Sequence, residues 1–173
     1  MAIDWPTRTA EVLGNNPLII KNPKNWHHIH SYGGSGRFFD GLRQSKLMAT
    51  RCTNANCAEK SLWLPPRTEC PDCWHHTEWV EAPLVGTVYT HSIVKYPGAP
   101  FRLPDGTPLI SIEIEGVCTK LMSWLKDGKP DFGMKVRAVF NTENPTNTIL
   151  DLAWIPASHA WDPSSSGHDR RSL

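Results

Sequence analysis

Two closely spaced cysteine pairs restrict the fold of this chain more than any other sequence feature. Four residues separate Cys52 from Cys57, two separate Cys70 from Cys73, and twelve lie between the pairs. Thiolates on two short loops can close around one ion, and Zn²⁺ suits four sulfur ligands in tetrahedral geometry. With all four positions filled by protein, none remains for water or substrate. The spacing therefore predicts one structural Zn²⁺ per chain.

Two disulfides, or four buried thiols, are the alternative to a metal site. The first residues show no basic segment followed by an apolar run, so we expect no secretory signal and a cytoplasmic location, where cysteines stay reduced. Redox iron is the other alternative, but rubredoxin-type loops usually place Gly after the second cysteine, whereas Trp74 follows Cys73. His75 and His76 would act as ligands only if a cysteine were displaced. Ligand type and spacing favour zinc in a rubredoxin-like ribbon.

Charge and hydropathy argue against two classes of partner, membranes and nucleic acids. The 173 residues carry a formal net charge of +1, and no apolar run approaches the roughly 20 residues that a membrane helix needs. Lys and Arg balance Asp and Glu both in the ribbon region and in the segment that follows it. A groove that follows phosphates needs an excess of positive charge. We therefore expect no membrane and no nucleic acid, although a nucleic-acid-binding zinc-ribbon protein stays the alternative from another functional class.

The N-terminal third combines a segment without periodicity and a short amphipathic stretch. Residues 1–33 contain one apolar cluster at residues 18–20 and a histidine-rich run at residues 26–30, and we expect an extended segment that wraps a partner rather than a second metal site. Phe38, Phe39 and Leu42 then fall at helical spacing in a helix predicted over residues 37–47, with Ser35 as its N-cap. This apolar stripe must pack on the ribbon or on another chain.

The second half of the chain has the pattern of a small β-barrel. Ile110, Ile112 and Ile114 alternate with polar residues, and turn residues such as Gly116 separate the segments. The predicted strands span residues 86–96, 108–116, 119–126, 135–144 and 148–156. Five short strands suit a closed or partly open barrel such as an OB-fold. We predict a mainly β chain with four parts: the N-terminal extension (1–33), the helix and zinc ribbon (34–83), the five-stranded OB-fold barrel (84–157) and a flexible tail (158–173).

The order of these pieces over residues 34–156 resembles one known family, the acyl-CoA-associated zinc-ribbon/OB-fold proteins long catalogued as a domain of unknown function. Besides the cysteine pairs, the matching pieces are Phe38-Phe39-Asp40-Gly41-Leu42, Leu64-Pro65-Pro66-Arg67 and Gly86-Thr87-Val88-Tyr89-Thr90. One departure is the first cysteine pair, which in the family is usually spaced by two residues rather than four. The resemblance implies the same set of four cysteine ligands.

The resemblance also implies a partner. Members of this family resemble accessory subunits of thiolase-fold enzymes, including a hydroxymethylglutaryl-CoA synthase assembly and aldolases that cleave steroid side chains. We therefore expect a hetero-oligomer with a thiolase-like catalytic subunit that binds most of the CoA thioester, with benzoylsuccinyl-CoA thiolase of anaerobic toluene degradation as the specific candidate. The residues agree with a non-catalytic role, because no motif links Cys118 or the scattered histidines into a nucleophile and base.

Three apolar features are predicted to contact the partner or its acyl-CoA. They are the cluster at residues 18–20, the stripe of Phe38, Phe39 and Leu42, and a proline-stiffened loop over residues 97–108 that contains Phe101 and Arg102. A stiff loop loses little entropy on binding, and a guanidinium suits a CoA phosphate or a partner carboxylate. The alternative is that Phe101 closes the mouth of the barrel and Arg102 is solvated.

Overall fold

The computed structural model describes residues 11–12, 20–21, 29, 31–95 and 103–160. The chain forms two compact units, Met1–Ser31 and Tyr32–Leu173, and the first contains one antiparallel pair of two-residue strands. The elements, in chain order, are β1 (Glu11–Val12), β2 (Ile20–Lys21), α1 (Gly36–Arg43), β3 (Met48–Cys52), β4 (Thr77–Glu81), β5 (Val85–Ile93), β6 (Pro108–Ile114), β7 (Leu121–Leu125), β8 (Lys135–Phe140) and β9 (Leu152–Pro156). Among these described residues, the helix has eight residues, too few to span a membrane.

Strands β5 to β9 close into a barrel in the order β5-β6-β7-β9-β8. All neighbouring strands are antiparallel except β7 and β9, which are parallel. In β6 the alternating residues Ile110, Ile112 and Ile114 are almost fully buried, whereas Glu113 is exposed, because successive side chains point to opposite faces of a strand. This barrel confirms the predicted mainly β fold with five strands of OB type.

Strand β9 is buried on both faces, unlike a strand with one solvated side. Leu152 and Trp154 join the main core inside the barrel. Ala153 and Ile155 join Val139 in a second buried cluster. The strand begins four residues later than the sequence analysis predicts, since residues 149–151 form a 3-10 turn that the Thr148 side chain caps.

The ribbon precedes the barrel and is built on the antiparallel pair β3 and β4. Between these strands Trp63 pairs with β3 in an isolated antiparallel bridge. It exchanges two backbone hydrogen bonds with Thr50 (3.1 and 2.7 Å). Leu62 forms a parallel bridge with Val117, so the ribbon is joined to the turn between β6 and β7. The pairing of β3 with β4 brings Cys52 opposite Thr77, close to the second cysteine pair.

Helix α1 is shorter than predicted, and its apolar face is covered by this chain itself. The helix ends at Arg43 because Ser45 takes a left-handed conformation (φ 58°), which turns the chain into β3. Ser35 occupies the N-cap position, but its side chain makes no capping hydrogen bond. Phe38 and Leu42 are 4% and 1% exposed in the main core. The stripe therefore packs on this chain itself at these two residues, and their contact with a partner stays a prediction.

Candidate metal centre

The four cysteines of the two predicted pairs converge at one end of the ribbon. All four Sγ atoms lie within 4.8 Å of one another, with Cys52 3.4 Å from Cys73 and Cys57 3.7 Å from Cys70. A tetrahedron with zinc–sulfur bonds of about 2.3 Å has sulfur–sulfur edges of about 3.8 Å. Cys57 and Cys70 are buried and the other two are half-buried. The donor set and its spacing therefore fit one tetrahedral metal ion.

The first cysteine loop accommodates its four-residue spacing through Asn54. The Asn54 side chain accepts a hydrogen bond from the Asn56 N–H (3.0 Å), and its carbonyl accepts one from the Cys57 N–H (3.1 Å). The Asn54 N–H in turn points at Cys52 Sγ (3.4 Å). An Asn side chain that bonds the backbone two residues on forms a turn of its own. This turn directs the Sγ atoms of Cys52 and Cys57 into the sulfur cluster.

The second cysteine loop is a tight turn closed by its own backbone. The Trp74 N–H donates to the Cys70 carbonyl (2.9 Å), and the Cys70 N–H donates to the His75 carbonyl (2.8 Å). Trp74 has a φ of 61°, a conformation that favours glycine. His75 and His76 are exposed and lie outside the sulfur cluster. The four cysteines are thus the ligand candidates in the described part of the ribbon.

The thiols of the cluster have unequal acidities. Burial raises the pKa of Cys57 to about 12 and also raises the pKa of Cys52. The backbone hydrogen bond from His75 lowers the pKa of Cys73 to about 6. Four thiolates this close repel one another, so all four are ionised together only when a cation offsets their charge. The cluster is therefore suited to a metal rather than to free thiols.

The other predicted contact residues have different outcomes. Phe39 is half-buried and stacks on Tyr32, with ring centroids 3.7 Å apart. Phe101 and Arg102 lie outside the described residues, as do the side chains of the cluster at residues 18–20, so their contact roles stay predictions.

Comparison with known proteins gives the same architecture. The family model of the ChsH2 C-terminal OB-fold domain matches residues 79–141. A solved structure described as the "Ltp2-ChsH2(DUF35) aldolase" is 26% identical, with a TM-score of 0.58, and the match covers 75% of this chain and 99% of that one. The barrel therefore matches the ChsH2 OB-fold domain, and the chain as a whole is similar to a protein of the DUF35/ChsH2 family. The family resemblance in the sequence is thereby confirmed, though not the specific link to benzoylsuccinyl-CoA thiolase.

A second solved member of the DUF35 family shares the fold. It is a protein of unknown function from Sulfolobus solfataricus, 20% identical with a TM-score of 0.52, and the match covers 73% of this chain and 89% of that one. No curated protein matches the sequence. At this level of identity the Sulfolobus protein supports the DUF35/ChsH2 architecture alone.

The sequence analysis missed a buried carboxylate in the loop before β9. Asp151 is 2% exposed, and its Oδ1 accepts hydrogen bonds from the Thr146 N–H (2.8 Å), the Thr146 hydroxyl (2.9 Å) and the Asn141 amide (3.1 Å). These bonds satisfy a buried charge and fix the loop between β8 and β9. The polar run of Asn and Thr residues before Asp151 is the signal that could have revealed it.

Proposed function

We propose that this chain is a non-catalytic accessory subunit of an enzyme complex that acts on CoA thioesters, with a structural Zn²⁺ in its ribbon. The observation that carries the proposal is the match to the Ltp2-ChsH2(DUF35) aldolase, which spans 99% of that chain. That protein is described as an aldolase with two named components. A chain that matches that structure over 75% of its own length suits the same kind of role.

The closed sulfur cluster supports a structural role for the metal. A catalytic zinc site keeps one position open for water or substrate, whereas this site offers four protein ligands. When bound, Zn²⁺ supplies folding free energy to the ribbon and holds four thiolates together. Cys52 and Cys57 hold the ion from the first loop, and Cys70 and Cys73 hold it from the second.

The environment of Cys118 supports a non-catalytic role. Its thiol donates a hydrogen bond to the Leu62 carbonyl (3.2 Å), and burial raises its pKa. A nucleophilic cysteine needs the opposite, a lowered pKa and a base in hydrogen-bond reach. His159, which follows β9, contacts Asp127, which follows β7, with 2.8 Å between Nδ1 and Oδ2, and both side chains are exposed.

The partner that we propose is an enzyme subunit that carries the acyl-CoA site. The comparison favours an aldolase-type partner, because the solved relative is described as an aldolase. The sequence resemblance favours a thiolase-like subunit, and it also names aldolases among the partners of this acyl-CoA-associated family. Benzoylsuccinyl-CoA thiolase stays a prediction of the sequence analysis.

The proposal is tested by purifying the tagged full-length chain from the cells that naturally produce it. We expect one enzyme subunit to co-purify in fixed ratio, condensing or cleaving activity on CoA thioesters in the complex, and one zinc atom per chain by metal analysis. The isolated chain is expected to be inactive. Turnover by the isolated chain that is lost in Cys118→Ser, or co-purification with nucleic acid instead of an enzyme, would contradict the proposal.

A further inference from the structure

The first cysteine loop is longer than the second, so more of its freedom must be lost when the ion binds. Four residues separate Cys52 from Cys57, whereas two separate Cys70 from Cys73. A longer loop has more conformations to lose when its ends are brought together. Bonds that order this loop before the ion arrives therefore increase the affinity of the site.

Asn54 lies between the two ligands of the first loop and is bonded to both of them through its backbone. Its N–H points at the Cys52 Sγ atom (3.4 Å), and its carbonyl accepts a hydrogen bond from the Cys57 N–H (3.1 Å). Its side-chain Oδ1 accepts a hydrogen bond from the Asn56 N–H (3.0 Å) and closes the turn within the loop. The position of both sulfurs therefore depends on a turn that one side-chain oxygen holds.

The same end of the first loop is attached to the second loop at groups other than the sulfurs. The Thr53 N–H (3.3 Å) and hydroxyl (2.7 Å) both donate to the His76 carbonyl. The Asn54 Nδ2 atom lies 3.5 Å from His75 Nδ1. These contacts do not involve the four Sγ atoms, so they can align the two loops before an ion binds.

The side chain of residue 54 contributes something that the backbone alone does not. It is half-buried, and residue 54 has no positive φ, so alanine could adopt the same backbone conformation. Asn differs from alanine here in the oxygen that holds the turn. Residues that orient the ligands of a metal typically change its affinity by about 10- to 100-fold when they are replaced.

We propose that Asn54 is a positioning residue of the metal site, whose side-chain oxygen aligns Cys52 and Cys57 and so sets how tightly the ribbon holds its ion. The inference rests on the structural Zn²⁺ of the proposed function and adds the residue that sets its affinity. Asn54 acts through the two cysteines and not as a ligand.

The test compares three variants of the full-length chain: Asn54→Ala, Asn54→Asp and the control Asn56→Ala. Aspartate keeps the oxygen that closes the turn, whereas alanine removes it. Asn56 belongs to the same loop, but its side chain is exposed and makes no hydrogen bond within the described part of the chain. Zn²⁺ affinity is measured by competition with a chelator of known affinity, and the absorption of bound Co²⁺ reports whether four sulfurs hold the ion.

We expect Asn54→Ala to bind Zn²⁺ about 10- to 100-fold more weakly than the wild type. Asn54→Asp and Asn56→Ala should both stay within about threefold of wild-type affinity, because the turn is kept in each. At saturating Co²⁺ all three variants should show the absorption of a tetrahedral four-sulfur site, since the ligands are unchanged.

Wild-type affinity of Asn54→Ala would overturn the inference while the proposed function stands. If Asn54→Asp binds as weakly as Asn54→Ala, the effect belongs to the amide nitrogen and not to the turn, which would also overturn it. Loss of the four-sulfur absorption at saturating Co²⁺ would assign Asn54 to the folding of the ribbon, with the same consequence. A wild-type chain that binds no zinc would overturn both the inference and the structural role of the metal.

Discussion

The barrel and the ribbon of this chain are stabilised by different means. Each barrel strand contributes buried apolar side chains to one core, including Val88, Ile112, Leu121, Val136 and Trp154. The ribbon contributes Ala49 and Leu64 to the same core, but its other buried residues include the cysteines Cys57 and Cys70, which lie outside that core. Burial of apolar area stabilises a barrel in any ionic environment, whereas a cluster of thiols contributes only with its ion. The two regions should therefore respond to different perturbations.

The largest expected effect comes from removing one sulfur ligand. Structural zinc contributes on the order of 10–16 kcal/mol in small zinc domains, so Cys70→Ser should unfold the ribbon while most barrel structure persists. Zinc analysis should fall from one atom per chain toward zero, and hydrogen exchange should accelerate at β3 and β4 but much less at β6.

A strong chelator added to the wild-type chain is the matched control for this prediction. It should give the same exchange pattern, and added zinc should reverse it. Unchanged stability of Cys70→Ser, or equal acceleration of exchange throughout both regions, would contradict the division between ribbon and barrel.

The next effect is expected from the barrel core. Trp154 is fully buried on β9, and Trp154→Ala should lower the free energy of unfolding by about 3–5 kcal/mol through lost burial and a cavity. Chemical denaturation followed by circular dichroism measures this loss. Zinc content of the folded protein should stay at one atom per chain, and Trp154→Phe should lose less. Release of zinc from Trp154→Ala at the same denaturant concentration at which its barrel unfolds would show that the two regions are not separable.

A smaller effect is expected at Gly86 of β5, which packs closely against β6. A Cβ added at Gly86 would lie 2.4 Å from Ile112 Cγ2 and 2.7 Å from the Glu113 carbonyl oxygen. Gly86→Ala should therefore cost about 1–3 kcal/mol by overpacking, with the zinc site intact. Thermal unfolding measures the loss, and Gly36→Ala serves as the control, because a Cβ there meets nothing within 4 Å and the φ of −56° suits alanine. Equal stability of wild type and Gly86→Ala would mean that β5 can shift away from β6.

The smallest effect concerns Cys118, where the ribbon meets the barrel. Because burial raises its pKa above the ordinary value of 9.0, little thiolate is present at pH 7. Its reaction with a thiol reagent in the zinc-loaded protein should be slow at pH 7 and still rising at pH 9, and Cys118→Ser should change stability by about 0.5 kcal/mol or less. A rate that levels off near pH 7 would indicate an activated thiol.

Elements that a local pattern specifies were predicted correctly from the sequence. Contacts between residues far apart in the chain were not predicted. The alternation of Ile110, Ile112 and Ile114 revealed a core strand because period two is a local property. The spacing of the cysteines likewise revealed their convergence. The stripe of Phe38 and Leu42 showed that the helix must be covered, but only the fold decides that this chain covers it. The left-handed Trp74 could not be foreseen, since such residues lack a local signature.

The joint between Leu62 and the barrel bears on how the chain is made. Leu62 donates to the Gly116 carbonyl (2.7 Å) and accepts from the Cys118 N–H (3.0 Å), and the Thr119 hydroxyl donates to the Leu64 carbonyl, 55 residues away in sequence. During translation all four cysteines leave the ribosome before residues 116–119 do. All four cysteines of the ribbon are therefore available to bind metal before Leu62 and Leu64 can form their hydrogen bonds with residues 116–119. We therefore expect that zinc can bind the ribbon before the joint with the barrel closes.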